Sequence, residues 1–220
     1  MKQCPSPPVQ KSHRHEAGLT LVELLIAMSI LAVVTTMVLM SWFALQRSYA
    51  STMKNDQARV DAREAVTRMV MEIRSAQALP GKAVLAGGGM DSTSEWIDFW
   101  TTFNHPDELL LTRYVYRWGT SNGVVTGSIY RMVDVGSAGP RERLVVSNVI
   151  NGGAANPVFQ YLSVDAYGNP STLVAIPTSQ ALLARVSAVE IHLMVDLNPG
   201  KSPTYMDIQT TAQLRNQRQF

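Results

Sequence analysis

The apolar positions of this chain are concentrated in one long run near its N-terminus. From Leu19 to Leu45, 27 residues contain a single charged side chain, Glu23. About 20 consecutive apolar residues are enough for a helix to cross the hydrocarbon core of a bilayer. The run therefore predicts a transmembrane helix over residues 19–45. An ionised carboxylate in that core costs at least about 2.5 kcal/mol, so we expect Glu23 to have a functional partner.

Helical periodicity continues beyond this run. No glycine or proline occurs in residues 46–79, and Pro80 and Gly81 follow as a stop signal. Apolar residues recur at the i, i+3, i+4, i+7 spacing of one helix face. These residues are Val66, Met69, Val70 and Ile73. The pattern predicts an amphipathic continuation of the helix over residues 46–79.

Charged residues occupy the other side of this continuation. Arg68 stands four residues after Glu64 and four residues before Glu72. At that spacing opposite charges are neighbours on a helix surface, where each pair contributes a few tenths of a kcal/mol. We expect both pairs on the exposed face.

Residues 80–220 alternate between short strand-like segments and turn sequences. In the best of these segments, Ser187–Val195, apolar and polar residues alternate as in a half-buried strand. Seven strands are predicted: Trp96–Thr101, Leu109–Trp118, Gly127–Val133, Arg143–Val149, Val158–Val164, Ser187–Val195 and Tyr205–Leu214.

Glycine-containing segments separate these strands. Gly168-Asn169-Pro170 has the composition of a turn, Gly87–Gly89 is interpreted as a flexible loop, and Thr178–Ala184 as a short helix. Sequential strands with short connections favour antiparallel pairing, because parallel pairs need long crossovers. The predicted fold class is α+β, in which a long N-terminal helix packs on an antiparallel β-sheet head of residues 80–220.

The start of the apolar run carries a recognisable motif. Gly18-Leu19-Thr20-Leu21-Val22-Glu23, followed by two leucines, resembles the processing site of type IV prepilins and type II secretion pseudopilins. The resemblance implies that prepilin peptidase cuts after Gly18, which removes residues 1–18 as a leader and makes Leu19 the N-terminus. Leu19 stands where this family usually has phenylalanine, which the same enzyme N-methylates. An ordinary secretory signal fits poorly, because its apolar core has only about 7 to 15 residues.

The resemblance also implies a function for Glu23. It would be the fifth mature residue and would pair with the α-amine of Leu19 on a neighbouring subunit. The alternative is a neutral Glu23 that is hydrogen-bonded within its own helix. A mature length of 202 residues resembles minor pilins and minor pseudopilins, with the J-type pseudopilin and the W-type minor pilin as the nearest likenesses.

Such subunits assemble at or near the filament tip and help to start assembly. The implied partners are prepilin peptidase, other pilins or pseudopilins, an inner-membrane assembly platform and, before assembly, the membrane lipid. The implied location is the cytoplasmic membrane, crossed once, with the head outside the cytoplasm, and then the pilus or pseudopilus. The alternative of another class is a single-pass membrane protein with an external ligand-binding β-domain.

Charge and cysteine content narrow the function further. The chain has 19 basic and 17 acidic residues, and the leader holds three of the former and one of the latter, which leaves 16 of each in the mature form. A neutral protein lacks the clustered positive charge of a nucleic-acid binder. A DNA-uptake pseudopilin therefore has no support from charge. The sole cysteine, Cys4, lies in the leader, so the mature protein would have no disulfide.

Catalytic and cofactor motifs are not found in the sequence. It contains no His-Glu-x-x-His helix, no Gly-x-Ser-x-Gly elbow and no phosphate-binding glycine loop, so we expect neither an enzyme nor a bound cofactor. Asp165 with Asn169, or Asp196 with Asn198, could offer oxygen ligands to calcium. Neither pair has a full calcium-loop signature, and a role in turn formation is the simpler interpretation.

Histidines and aromatic residues are the remaining candidates in the head. His105 precedes a proline in a predicted loop, and His192 falls on the polar side of a strand, so structural or solvated roles are expected for both. An aromatic cluster is compatible with either an exposed interaction patch or packing on the long helix. Its members are Trp96, Phe99 and Trp100.

Overall fold

The computed structural model describes residues 20–79, 82–90, 94–121, 123–135, 139–153, 155–164, 170–172, 179–197 and 205–215. These residues form a long helix, a short second helix and nine strands. In chain order they are α1 Leu21–Arg74, β1 Leu85–Met90, β2 Ser94–Thr101, β3 Leu110–Ser121, β4 Val124–Val133, β5 Arg141–Val149, β6 Phe159–Val164, β7 Pro170–Thr172, α2 Gln180–Leu183, β8 Ala188–Asp196 and β9 Tyr205–Gln213.

The chain divides into two compact units, with the boundary between Ser51 and Thr52. In the first unit the described residues from Leu21 onward are helical and exposed. Their most apolar 18-residue window has a mean hydropathy of 2.4, and none of it is buried in protein. By length and composition the helix is able to cross a membrane, as predicted.

The second unit is built on one antiparallel sheet. The strand order is β1-β2-β3-β4-β5-β8-β6-β7, and β9 pairs along the other side of β8. All seven predicted strands are present, and the prediction of an α+β fold is confirmed. The sheet is curled, and one side of the α1 segment in this unit packs on its concave face while the other side is exposed.

The core lies between α1 and that concave face. The helix contributes the side chains of a single stripe, which successive helical turns bring to the same side. These residues are Ala62, Ala65, Val66, Met69 and Ile73. The sheet contributes large side chains from five strands, namely Ile97, Phe99, Tyr114, Ile129, Tyr161, Ile191 and Leu193. Burial of each large apolar side chain contributes about 1.5–3 kcal/mol.

The prediction of a loop at Gly87–Gly89 is wrong, because these glycines lie inside β1. β1 pairs with β2, and Gly89 stands opposite Trp96. A Cβ at Gly89 would overlap the Trp96 ring, and a Cβ at Gly88 would overlap the Tyr161 hydroxyl. Two aromatic side chains lie directly on the β1 backbone, which explains why the strand is built from glycine.

The helix ends at Arg74, five residues before its predicted end. Beyond it, the Gln77 amide donates to the Trp100 carbonyl at 2.8 Å, and Ala76 forms a β-bridge with Thr101. The backbone exchanges its helical hydrogen bonds for pairing with β2. The end of the helix is therefore set by a tertiary contact that lies upstream of Pro80.

Two short elements, β7 and α2, lie between β6 and β8 in the chain. The predicted short helix is present as α2, and Ser179 Oγ caps it by accepting from the Leu182 amide at 3.3 Å. Pro170, which the sequence predicts in a turn, begins β7 opposite Val164 of β6. The first residue of an edge strand tolerates proline, because its missing N–H is not needed there.

The expectation that Glu72 lies on the exposed face is also wrong. Its side chain is fully buried against β3 and β4. Oε2 accepts hydrogen bonds from the Tyr114 hydroxyl at 2.8 Å and from Arg131 Nε at 2.7 Å, and the predicted pair with Arg68 is present at 3.5 Å. Burial and the nearby Glu72 carboxylate raise the pKa of Tyr114. Partners from the sheet place this charge in the interior.

Candidate functional site

The helix α1 begins with reciprocal hydrogen bonds between Thr20 and Glu23. Glu23 Oε2 accepts from the Thr20 amide at 3.0 Å and from the Thr20 hydroxyl at 3.1 Å, and Thr20 Oγ1 accepts from the Glu23 amide at 3.3 Å. This arrangement is a capping box, in which two side chains satisfy amide groups that the first helical turn leaves unpaired. It fixes the carboxylate at the helix start, where the helix dipole favours negative charge.

The capping box was missed by the sequence analysis. Its signature, Thr20-x-x-Glu23, stands at the N-terminal boundary of the apolar run and could have been read directly. The structure shows that Glu23 has hydrogen-bond donors within its own helix, as one of the two predicted alternatives requires. Gly18 and Leu19, the two predicted processing residues, lie outside the described residues.

The polar side chains within the apolar run are also satisfied locally. Their hydroxyl groups donate to backbone carbonyls three or four residues earlier, at distances of 2.7–2.9 Å. The residues are Ser29, Thr35, Thr36 and Ser41. In a hydrocarbon environment an unpaired hydroxyl is costly, so these bonds make the helix compatible with lipid. Glu23 remains the sole ionisable group of this segment.

The aromatic candidates of the head occupy different environments. Phe99 is buried and stacks on Tyr114, with ring centroids 6.0 Å apart. Trp96 lies partly buried on the outer side of β2, with the Arg113 guanidinium 5.6 Å from its ring. Trp100 is partly buried next to Lys82. These three residues therefore do not form one exposed patch.

The histidine and calcium candidates give no site in the described part of the chain. His192 Nε2 lies 2.8 Å from Asp207 on the adjacent strand β9, which is a structural pair. Within the described residues no group of three or more His, Cys, Asp or Glu side chains could hold a metal ion. Asp165, Asn169 and Asn198 lie outside the described residues.

The comparison with known proteins points to the same N-terminal segment. Residues 13–39 match the prokaryotic N-terminal methylation motif. The matched segment contains the predicted cleavage position Gly18, the capping box and most of the apolar run. No curated protein matches the chain.

The motif is a type IV pilin signal, and it supports a type IV pilin or pseudopilin that prepilin peptidase processes. Together with the exposed apolar helix it fits a single-pass membrane anchor. It also suggests a structural subunit rather than an enzyme, and it implies assembly with other pilins. The match ends at residue 39, so the head is described by its fold alone.

Proposed function

We propose that this chain is a minor pilin or minor pseudopilin. Prepilin peptidase cuts its precursor after Gly18, and the mature subunit is assembled at or near the tip of a type IV pilus or type II secretion pseudopilus. There it helps to initiate assembly. Before assembly the subunit resides in the cytoplasmic membrane, with the head outside the cytoplasm.

The observation that carries this proposal is the coincidence of three features at one helix start. The methylation motif covers residues 13–39, the capping box fixes Glu23 in the first turn, and the apolar helix surface beyond it is exposed. A simple anchor needs only the apolar surface. A carboxylate held at the helix N-terminus next to a cleavage motif is what an assembling subunit would use.

We further propose that Glu23 pairs with the α-amine of Leu19 on a neighbouring subunit. Cleavage after Gly18 creates that amine, so the pair forms only after processing. An opposite charge lowers the cost of a carboxylate in a medium of low dielectric constant. The Thr20 hydrogen bonds occupy Oε2, and a carboxylate has further acceptor positions for a second partner.

The intact mass of the membrane-embedded protein tests the processing step. The chain is expressed with and without a prepilin peptidase, and the product is expected to lose Met1–Gly18 only when the peptidase is present. The Gly18→Ala variant is expected to keep its full mass. A full-length wild-type product in the presence of the peptidase would contradict the proposal. It would favour the alternative of a single-pass membrane protein that is not processed.

The minor position in the filament requires a separate test. Filaments are sheared from cells and the ratio of this subunit to the major subunit is measured by quantitative mass spectrometry. A minor tip subunit is expected at far below one copy per ten major subunits. Equal abundance would identify a major pilin. Absence of the subunit from the filaments of cells that process it would show that it has no role in the filament.

A further inference from the structure

Glu95 is a buried carboxylate for which the proposed function has no use. It is the second residue of β2, and only 2% of its surface is exposed. Oε1 accepts a 2.6 Å hydrogen bond from the Phe159 amide, while Oε2 has no partner among the described residues. The hydroxyl of Tyr116, on the neighbouring strand, is likewise buried without a partner in the described part. A buried charge is costly unless it is paired.

The position of Glu95 in the sheet is unusual. In the strand order, β2 and β6 are separated by four other strands. The curl of the sheet brings them together at a seam, which we define as Glu95, Trp96, Phe159 and Tyr161. Two hydrogen bonds cross it, from the Phe159 amide to Glu95 and from the Tyr161 hydroxyl to the Trp96 carbonyl at 3.1 Å. Side chains, and not a β-ladder, hold this seam.

We propose that Glu95 is a pH-sensitive latch of the head. In its neutral form the side chain accepts the Phe159 amide inside the core and keeps the seam closed. In its ionised form the same side chain carries a negative charge that no cation among the described residues balances, and opening the seam releases that charge to solvent. Loss of the Glu95 proton therefore loosens the contact between β2 and β6.

The groups that face Glu95 support this assignment. Tyr116 on β3 and Tyr161 on β6 stay neutral, because burial raises the pKa of both phenols. Asp98 on β2 is already held by two hydrogen bonds from Arg113, at 2.6 and 2.7 Å. Within the described residues no cation compensates Glu95. The amide groups of Phe159, Val158 and Gly153 favour its charged form, but desolvation is the larger effect.

The sign of the pH effect follows from this balance. Burial raises the pKa of Glu95 from 4.5 to about 7, whereas an opened seam would return the group to its ordinary value. The closed state therefore binds the proton more tightly than the open state. The seam is most stable below pH 4.5, loosens as the pH rises from 4.5 to about 7, and changes little above about pH 8. Between pH 5 and 7 its opening constant rises about 40-fold.

Amide hydrogen exchange of the full-length protein in detergent micelles tests the latch. Exchange of residues 158–162 is compared between the wild type and Glu95→Gln, which keeps the acceptor without the titration. The intrinsic exchange rates of this segment are the same in both proteins. The ratio of the wild-type exchange rate to that of Glu95→Gln therefore measures the effect of the Glu95 charge on seam opening. The ratio is expected to rise about 40-fold from pH 5 to 7 and to level off above about pH 8. A ratio that stays within three-fold would overturn the proposal.

Two controls make the result specific. Glu190→Gln removes a half-buried carboxylate on β8 that is hydrogen-bonded to Gln209, and it is expected to leave the pH dependence unchanged. If Glu95→Gln does not fold, the wild type alone decides, since its exchange, corrected for the intrinsic rate, must still show the same rise. An equal rise in the β3–β4 hairpin would mean global loosening and would contradict a latch at the seam.

Discussion

Arg131 donates a 2.7 Å hydrogen bond from Nε to Glu72 Oε2, and this contact joins β4 to the buried side of α1. The Tyr114 hydroxyl donates to the same oxygen from β3. Three elements therefore meet at one carboxylate in the interior of the head. Such a site fixes how the helix is placed on the sheet, because each partner is satisfied in one arrangement only.

The first prediction concerns the loss of one partner from this site. Arg131→Met leaves the buried Glu72 charge without its closest cation and is expected to destabilise the head by about 3–5 kcal/mol. The matched control is Arg117→Met, because Arg117 forms a 2.7 Å pair with Glu142 at the surface. That exposed pair is expected to contribute at most about 1 kcal/mol. Denaturant unfolding of both variants in detergent measures the difference, and equal losses would contradict the assignment.

Seven of the nine described strands of the head could be predicted from local alternation, but β1, β7 and the Glu72 site could not. The strands repeat their apolar residues with period two, so their positions are visible within eight or nine residues. Glu72 looks like an exposed helical residue until Arg131 is known to lie beside it, 59 residues later. Gly88 likewise resembles a loop residue, because its partner Tyr161 comes from a distant strand. The processing motif was recognisable because all of its residues are adjacent.

The second prediction concerns Asn151, whose side chain completes the hydrogen bonding of β8. Its Nδ2 donates to the His192 carbonyl at 2.7 Å, and its Oδ1 accepts from the Met194 amide at 2.9 Å. This side chain fills the gap between β6, which pairs with β8 up to Ile191, and β5, which pairs at Val195. Asn151→Leu leaves two backbone groups unsatisfied and is expected to cost about 2–4 kcal/mol.

Asn151→Asp gives the same site a pH dependence. The carboxylate cannot donate to the His192 carbonyl, whereas the protonated acid can. The native state therefore raises the pKa of this acid, and the variant is expected to lose stability as the pH rises through that pKa. Asn148→Asp is the control, since the half-buried Asn148 has a φ of 59°, which Asp tolerates. Unfolding curves at pH 4 and pH 8 that shift equally for both variants would refute the role of Asn151.

The third prediction concerns the glycines of β1. Gly88→Ala places a methyl group against the Tyr161 hydroxyl and is expected to destabilise the head by about 1–3 kcal/mol. Gly139→Ala is the control, because no atom of the described residues lies within 4 Å of a Cβ at that position. Thermal unfolding is expected to show a clear drop for Gly88→Ala and little change for Gly139→Ala. A similar drop in both would show that the overlap with Tyr161 is not the cause.

The last prediction separates the two roles of Glu23. Glu23→Gln keeps a side-chain oxygen for the capping box but removes the charge, while Thr20→Val removes the capping hydroxyl and keeps the charge. If Glu23 pairs with the Leu19 amine of a neighbour, Glu23→Gln is expected to be cut normally yet to enter filaments at least ten-fold less efficiently than the wild type. Thr20→Val is expected to assemble at near wild-type levels, because the charge that recognises the amine is retained.

Processing is followed by intact mass, and incorporation is measured in filaments sheared from cells that also express the other subunits. Normal incorporation of Glu23→Gln would limit Glu23 to the capping role, whereas failure of Thr20→Val alone would show that assembly depends on the helix start and not on the charge.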